Sequence, residues 1–196
     1  MHSSELTPEM IYAGYREGWF PMMVDEETFE TGWFQPKQRC LFPIEGIKTS
    51  HSLQKTIRQN RFEVKFDTSF QQVIENCRRP EGNWINEDFI RVYTKIHEQG
   101  WAHCAECWKN ENLVGGVYGI GIGGVFFAES MFHRETDASK VVLHALVETC
   151  RAKGFVLFDA QIMNPHLRSL GAFEISNREY QSRLRQALQV QTPWST

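Results

Sequence analysis

The sequence predicts an α+β fold, a mixture of helices and strands around a central sheet, and three stretches carry that expectation. Asn86 caps a helix over 87–99 in which Phe89, Val92, Tyr93 and Ile96 form one apolar stripe, and Gly100 closes it. Three segments in succession, 102–109, 113–120 and 124–129, read as strands, with turns at 110–112 and 121–123. A long helix over 137–153 then stops at Gly154 and gives way to a buried-type strand at 155–161.

The remaining elements follow in order. Thr7 caps a helix with Pro8 at its first position, running to Gly18. The first forty residues are dense in aromatics and turn formers (Tyr12, Tyr15, Trp19, Phe20, Pro21, Trp33, Phe34, Pro36), and beyond the helix the chain carries the acidic run Asp25-Glu26-Glu27 and reads as irregular. This suggests a small aromatic-rich N-terminal domain over 1–40 ahead of a main domain over 41–196. In the main domain a short basic helix is expected over 51–61, a strand at 62–66, and a helix over 69–77 capped by Thr68 or Ser69. After the strand at 155–161 come a short helix over 165–170, a strand at 172–175, and a polar C-terminal helix starting after Ser176.

The chain of 196 residues is long enough to bury a core without disulfide or metal staples, and its composition is ordinary for a globular protein. No apolar run reaches the roughly 18–20 residues of a membrane span, and the N-terminus has neither the basic start nor the apolar stretch of a signal peptide. The expected compartment is the cytoplasm. Five cysteines, odd in number and scattered, argue against a secreted disulfide framework. Cys104 and Cys107 make a C-x-x-C beside His103, but no second ligand pair follows and the pair lies in an expected strand; they read as ordinary strand cysteines, with no metal site.

A formal charge of −3 excludes nucleic-acid binding by a globally positive surface. A local patch is present instead: Lys48, His51, Lys55, Arg58 and Arg61 lie close together with no acid among them.

The most specific residues form a collinear series. It runs through Tyr15-Arg-Glu-Gly-Trp-Phe-Pro21, Trp84-Ile85, Gly100-Trp-Ala-His103, Glu106-Cys-Trp108 and Leu113-Val-Gly-Gly-Val-Tyr-Gly119. It continues through Phe126-Phe-Ala-Glu-Ser-Met-Phe132, Ala138-Ser-Lys140, Phe158-Asp-Ala-Gln161 and His166-Leu-Arg-Ser-Leu-Gly-Ala172. Over about residues 10 to 185 the chain thereby resembles the leucyl/phenylalanyl-tRNA–protein transferases of bacteria. The resemblance implies a small N-terminal domain followed by a GNAT-like (Fem-type acyltransferase) mixed sheet flanked by helices. It implies transfer of Leu or Phe, and Met more weakly, from aminoacyl-tRNA to proteins bearing N-terminal Arg or Lys, marking them for degradation by the N-end rule. It also implies a monomer that needs no cofactor, since an ester is already activated toward an amine and the enzyme has only to align the two and stabilise the oxyanion.

The same resemblance assigns residues. It puts Asp159 and Gln161 at the reacting ester, where Gln161 orients the amine and Asp159 polarises it or assists proton removal. Being two apart on an expected strand, they should project from the same face. Glu129 falls in the donor pocket, holding the aminoacyl ammonium or the terminal ribose; the competing reading is a salt bridge to Arg134 or Lys140. Val117, Phe126, Met131 and Phe158 are candidates for the apolar donor pocket, and Trp84 for stacking on the terminal adenine. The Lys48–Arg61 patch matches the surface that meets the tRNA acceptor stem. For the acidic groups that would select the acceptor, Glu106 and Glu174 are guesses.

The chain departs from the family pattern in lacking a glycine- and leucine-rich lead segment. Met22 stands where an aromatic is usual after Phe20-Pro21, Ala128 stands for the glycine before Glu129, and Cys104 for a serine. Met22 puts the detail of the donor pocket in doubt. Two other readings are open: an acyl-CoA N-acetyltransferase of the GNAT type, and a non-catalytic tRNA-binding module. An acceptor with N-terminal Asp or Glu is also compatible with the spacing.

Overall fold

A computed structural model describes residues 6–25, 30–78 and 85–194. Helix α1 (Pro8–Arg16) leads into a hairpin of β1 (Phe20–Asp25) and β2 (Glu30–Phe34), followed by β3 (Gln38–Phe42). Helix α2 (His51–Arg58), β4 (Glu63–Phe66), α3 (Phe70–Asn76) and α4 (Glu87–Glu98) come next. Then come the strands β5 (Ala102–Lys109), β6 (Asn112–Ile122) and β7 (Val125–His133), the long helix α5 (Ala138–Ala152) and β8 (Leu157–Asp159). Helix α6 (Pro165–Ser169), β9 (Phe173–Ser176) and α7 (Asn177–Ala187) complete the order.

The predicted α+β class is what the structure has: a seven-stranded mixed sheet in the order β4-β5-β6-β7-β8-β3-β9, with helices on both faces. Among the described residues only β7 and β8 pair in parallel, which is why the long crossover helix α5 lies between them. One face of the sheet packs on α1, α3, α4 and α7, the other on α2, α5 and α6.

The caps read from the sequence form: Thr7, Asn86 and Ser176 each accept a backbone N–H of the helix they open. Three expectations are corrected. The stretch after α1 is not irregular, since Phe20–Asp25 pairs with Glu30–Phe34, and Gln38–Phe42 enters the main sheet between β8 and β9. The β6–β7 turn falls at Gly123 and Gly124, not at 121–123. Gly121 stays in the strand, where the Trp194 carbonyl occupies the place that a Cβ would need. The basic helix ends at Arg58, leaving Arg61 beyond it.

Cys104 and Cys107 face opposite sides of β5, one packed in each half of the core, so they do not act as a pair.

Candidate active site

The parallel strands β7 and β8 stay together only for Val125–Leu157, Phe126–Phe158 and Phe127–Asp159. Beyond Asp159 the chain parts from β7, still bonded to Cys40 of β3 through Ala160 and Gln161, while β7 runs on, and a cavity of about 460 Å³ opens in the gap. Ligand sites commonly form at the carboxyl ends of parallel strands for this reason. Phe42, Val117, Met131, Leu143 and Leu167 make apolar walls, and Phe20, Pro21 and Met22 of β1 close one side. Glu129 and Gln161 bring polar groups to it, and His133 and His166 stand at the same lining.

Glu129 owes its position to a β-bulge. Tyr118 pairs with Ser130 and Gly119 with Ala128, so Glu129 is the extra residue of β7 and has no partner on β6. Bulges re-aim a side chain in this way. Its carboxylate accepts hydrogen bonds from the Tyr15 hydroxyl and, at 3.2 Å, from the Tyr93 hydroxyl. The Gln161 amide donates in turn to the Tyr15 oxygen at 3.4 Å. The expected ion pairs are not the ones that form: Arg134 donates to Asn76 and Lys140 pairs with Asp137 at 2.8 Å. Burial raises the Glu129 pKa to about 7, against the opposing effect of the bonds from Tyr15, Gln161 and Tyr93, with nearby Asp159 adding to the rise.

Asp159 and Gln161 are not on one strand. β8 ends at Asp159, and Gln161 has a left-handed backbone with φ 61°. The two meet instead through a local bond, Gln161 N–H donating to Asp159 Oδ1 at 2.8 Å. Asp159 is fully buried and is not among the cavity-lining residues. Its carboxylate takes three bonds from Arg39, at 2.7–3.0 Å, and one from the Tyr180 hydroxyl at 2.5 Å. Burial opposes the charge on Arg39, yet its pKa lies above the usual value because Asp159 outweighs that effect.

Of the expected pocket residues, Val117, Met131 and Met22 line the cavity. Phe126 and Phe158 stack on each other behind the wall, centroids 5.4 Å apart, and reach the cavity only through the residues they support. Trp84 lies outside the described residues. Lys48, His51, Lys55, Arg58 and Arg61 are all exposed. Lys48 N–H donates to the Leu170 carbonyl at 2.8 Å, at the end of the helix whose His166 and Leu167 line the cavity. On the inner side of α2 the Thr56 hydroxyl lies 3.5 Å from Asp137, the residue that holds Lys140. Lys48 and α2 are thereby tied to α6 and to the start of α5, which both contribute to the cavity lining.

The two residues offered for acceptor selection lie away from the cavity. Glu106 is fully buried and accepts the Thr68 hydroxyl, the Thr68 and Ser69 backbone N–H groups and Trp108 Nε1, tying β5 to the start of α3. Glu174 pairs with Arg168 at 3.1 Å. Neither lines the cavity. Sequence reasoning in turn missed Tyr15, Tyr93 and Arg39. Tyr15 opens one of the collinear segments, and Arg39 is a charge directly ahead of the apolar run Cys40-Leu41-Phe42; each is a usable signal.

Comparison with known proteins fits this geometry. Residues 41–185 match the family model for leucyl/phenylalanyl-tRNA protein transferase, and residues 4–37 match that family's N-terminal domain. The chain belongs to the leucyl/phenylalanyl-tRNA–protein transferase family. It is 43% identical over 188 residues to the protein of that name from Herpetosiphon aurantiacus, covering 95% of this chain and 97% of that one. With the Chlorobaculum parvum protein of the same name the identity is 47% over 184 residues, covering 92% and 94%. Membership makes the chain an aminoacyltransferase. Among solved structures it is similar to a GCN5-related N-acetyltransferase-like protein from Streptococcus suis, at a TM-score of 0.40 and 15% identity over 86% of this chain and 64% of that one.

Proposed function

We propose that this transferase moves leucine or phenylalanine, and methionine more weakly, from charged tRNA onto the α-amine of proteins with N-terminal Arg or Lys, marking them for N-end-rule degradation. The observation that carries the reading is the cavity at the end of β7 and β8, whose apolar walls meet Glu129 and Gln161 where the reacting ester would lie. A volume of about 460 Å³ suits an aminoacyl group with its terminal nucleoside. Shape is the main selector in such a pocket, and one methylene is worth only about 1–3 kcal/mol, so donor preference should be graded.

In the reaction the acceptor nitrogen attacks the ester carbonyl, a C–N bond forms, and the C–O bond to the ribose breaks. One proton leaves the amine and one is gained by the departing ribose oxygen. Gln161 orients the amine. Glu129, held between two phenols and titrating near 7, holds the aminoacyl ammonium or the terminal ribose. Asp159 serves from behind, through its bond to the Gln161 backbone. Trp84 stacks on the adenine, and the exposed cations of 48–61 take phosphates of the acceptor stem. The division into an N-terminal domain (1–40) and an aminoacyl-transferase domain (41–196) belongs to this reading, as do a monomeric state and a cytoplasmic location. Among the described residues no helix is long and apolar enough to cross a membrane.

The acyl-CoA alternative is not favoured, because the glycines of 115–124 lie in β6 and its turn into β7 and do not lead into a helix that could grip pyrophosphate. The test supplies radiolabelled Leu-tRNA with peptides starting in Arg, Lys, Asp or Ala. Label on the Arg and Lys peptides is expected; label on the Asp peptide alone reassigns the acceptor, and label on none refutes the reading.

A further inference from the structure

Arg39 is a completely buried cation on β3, between β8 and the edge strand β9, and no step of the proposed reaction uses it. Each part of its guanidinium is engaged. Nε and Nη2 grip both oxygens of Asp159, and Nη1 donates to the Gly18 carbonyl at 3.0 Å. One ring under the guanidinium is Phe20, at 4.8 Å, and another is Tyr180, at 4.6 Å. Two of these neighbours lead straight to the cavity. Phe20 is part of its wall, and Asp159 Oδ1 holds the N–H of Gln161. The next residue of β3 completes the grip, as Cys40 N–H donates to the Gln161 carbonyl at 3.0 Å.

A buried ion pair is weak evidence for stability, since an apolar pair of the same volume often serves as well. A left-handed backbone at a residue other than glycine, such as Gln161, persists only where its surroundings over-determine it. The planar fork of Arg fixes the plane of the Asp159 carboxylate and so the direction in which Oδ1 meets the Gln161 N–H. A lysine would offer a point charge with no such direction.

We propose that Arg39 is a positioning residue for aminoacyl transfer, fixing Gln161 through Asp159 and the facing wall of the cavity through Phe20 and Gly18. The inference rests on the proposed role of Gln161 and extends it to the strand behind. A misplacement of about 1 Å at a reacting group costs about 10²-fold in rate, and an effect of that size is expected on kcat, with the donor KM little changed.

The test is a double-mutant cycle on Phe transfer from Phe-tRNA to an Arg-initiated peptide, using wild type, Arg39→Lys, Gln161→Ala and the double variant. Arg39→Lys should lower kcat by about 10²-fold, and should lower it little further once Gln161 is gone. Multiplicative losses, or wild-type kcat in Arg39→Lys, overturn the proposal. Should Arg39→Lys fail to fold, the pair Arg39→Met/Asp159→Asn removes both charges together. A folded variant of that kind with the same kcat deficit supports the proposal, and one with wild-type kcat overturns it. If wild type itself transfers nothing, the functional reading has failed; if wild type is active and the cycle is multiplicative, only the role of Arg39 has.

Discussion

Two carboxylates flank the same gap in the sheet, and their surroundings differ in kind. Glu129 is pushed out of the β7 ladder by a bulge, borders the cavity, and has neutral partners, the hydroxyls of Tyr15 and Tyr93 and the Gln161 amide. Asp159 closes β8, lies behind the cavity wall, and is gripped by a guanidinium. Neutral donors leave much of the burial penalty in place, so Glu129 changes charge near neutral pH. A full opposite charge makes Asp159 part of the scaffold. The lesson is that two acids beside one gap divide the work, one facing the cavity and the other facing protein.

The comparison can be broken or sharpened by substitution. The largest effect on stability is expected from Asp159→Ala, which leaves Arg39 buried and unpaired and should cost about 3–5 kcal/mol in denaturant unfolding. A loss near zero would mean that Asp159 is not the structural member of the pair.

Glu129→Gln should behave in the opposite way. A carboxyl raised from 4.5 to about 7 keeps its proton in the folded state where the unfolded chain has lost it. Stability therefore falls as pH rises between those values, by an amount on the order of 3 kcal/mol once pH exceeds 7. The Gln variant escapes that fall, so melting temperatures of the two proteins should differ between pH 4 and pH 8 in a way that favours the variant at high pH. Parallel pH dependence in both would refute the burial argument.

Tyr15→Phe removes a bond that lowers the Glu129 pKa. The expected outcome is an upward displacement of the Glu129 titration, followed by carboxyl-labelled NMR, by about the one unit that a net hydrogen bond of 0.5–1.5 kcal/mol corresponds to. No displacement would separate Tyr15 from the carboxylate. The smallest effect concerns the exposed patch. Charge reversal at Lys55 and Arg58 should weaken tRNA binding and make its salt dependence shallower, by about one in the log–log slope for each phosphate no longer neutralised, read from binding between 50 and 200 mM salt.

Most of the fold was legible because its signals are local. Thr7, Asn86 and Ser176 mark helix starts, and the stripe of α4 and the runs of β5 and β6 need no distant partner to be recognised. What escaped depends on tertiary pairing. β3 exists because β8 and β9, more than a hundred residues on, provide its neighbours. At the site, Glu129 and Gln161 were visible as residue types in motifs, while the bulge that turns one and the left-handed turn that carries the other were not. Alternation predicts a common face for Asp159 and Gln161, and the early end of β8 removes the premise.

The most direct measurement is the initial rate of radiolabelled Phe transfer from Phe-tRNA to an Arg-initiated peptide by wild type and by Gln161→Ala, at saturating tRNA. The cavity-centred account predicts clear labelling by wild type and a loss of about 10²-fold or more in the variant, the usual cost of removing a group that positions or stabilises the reacting atoms. Equal rates in the two proteins would contradict it.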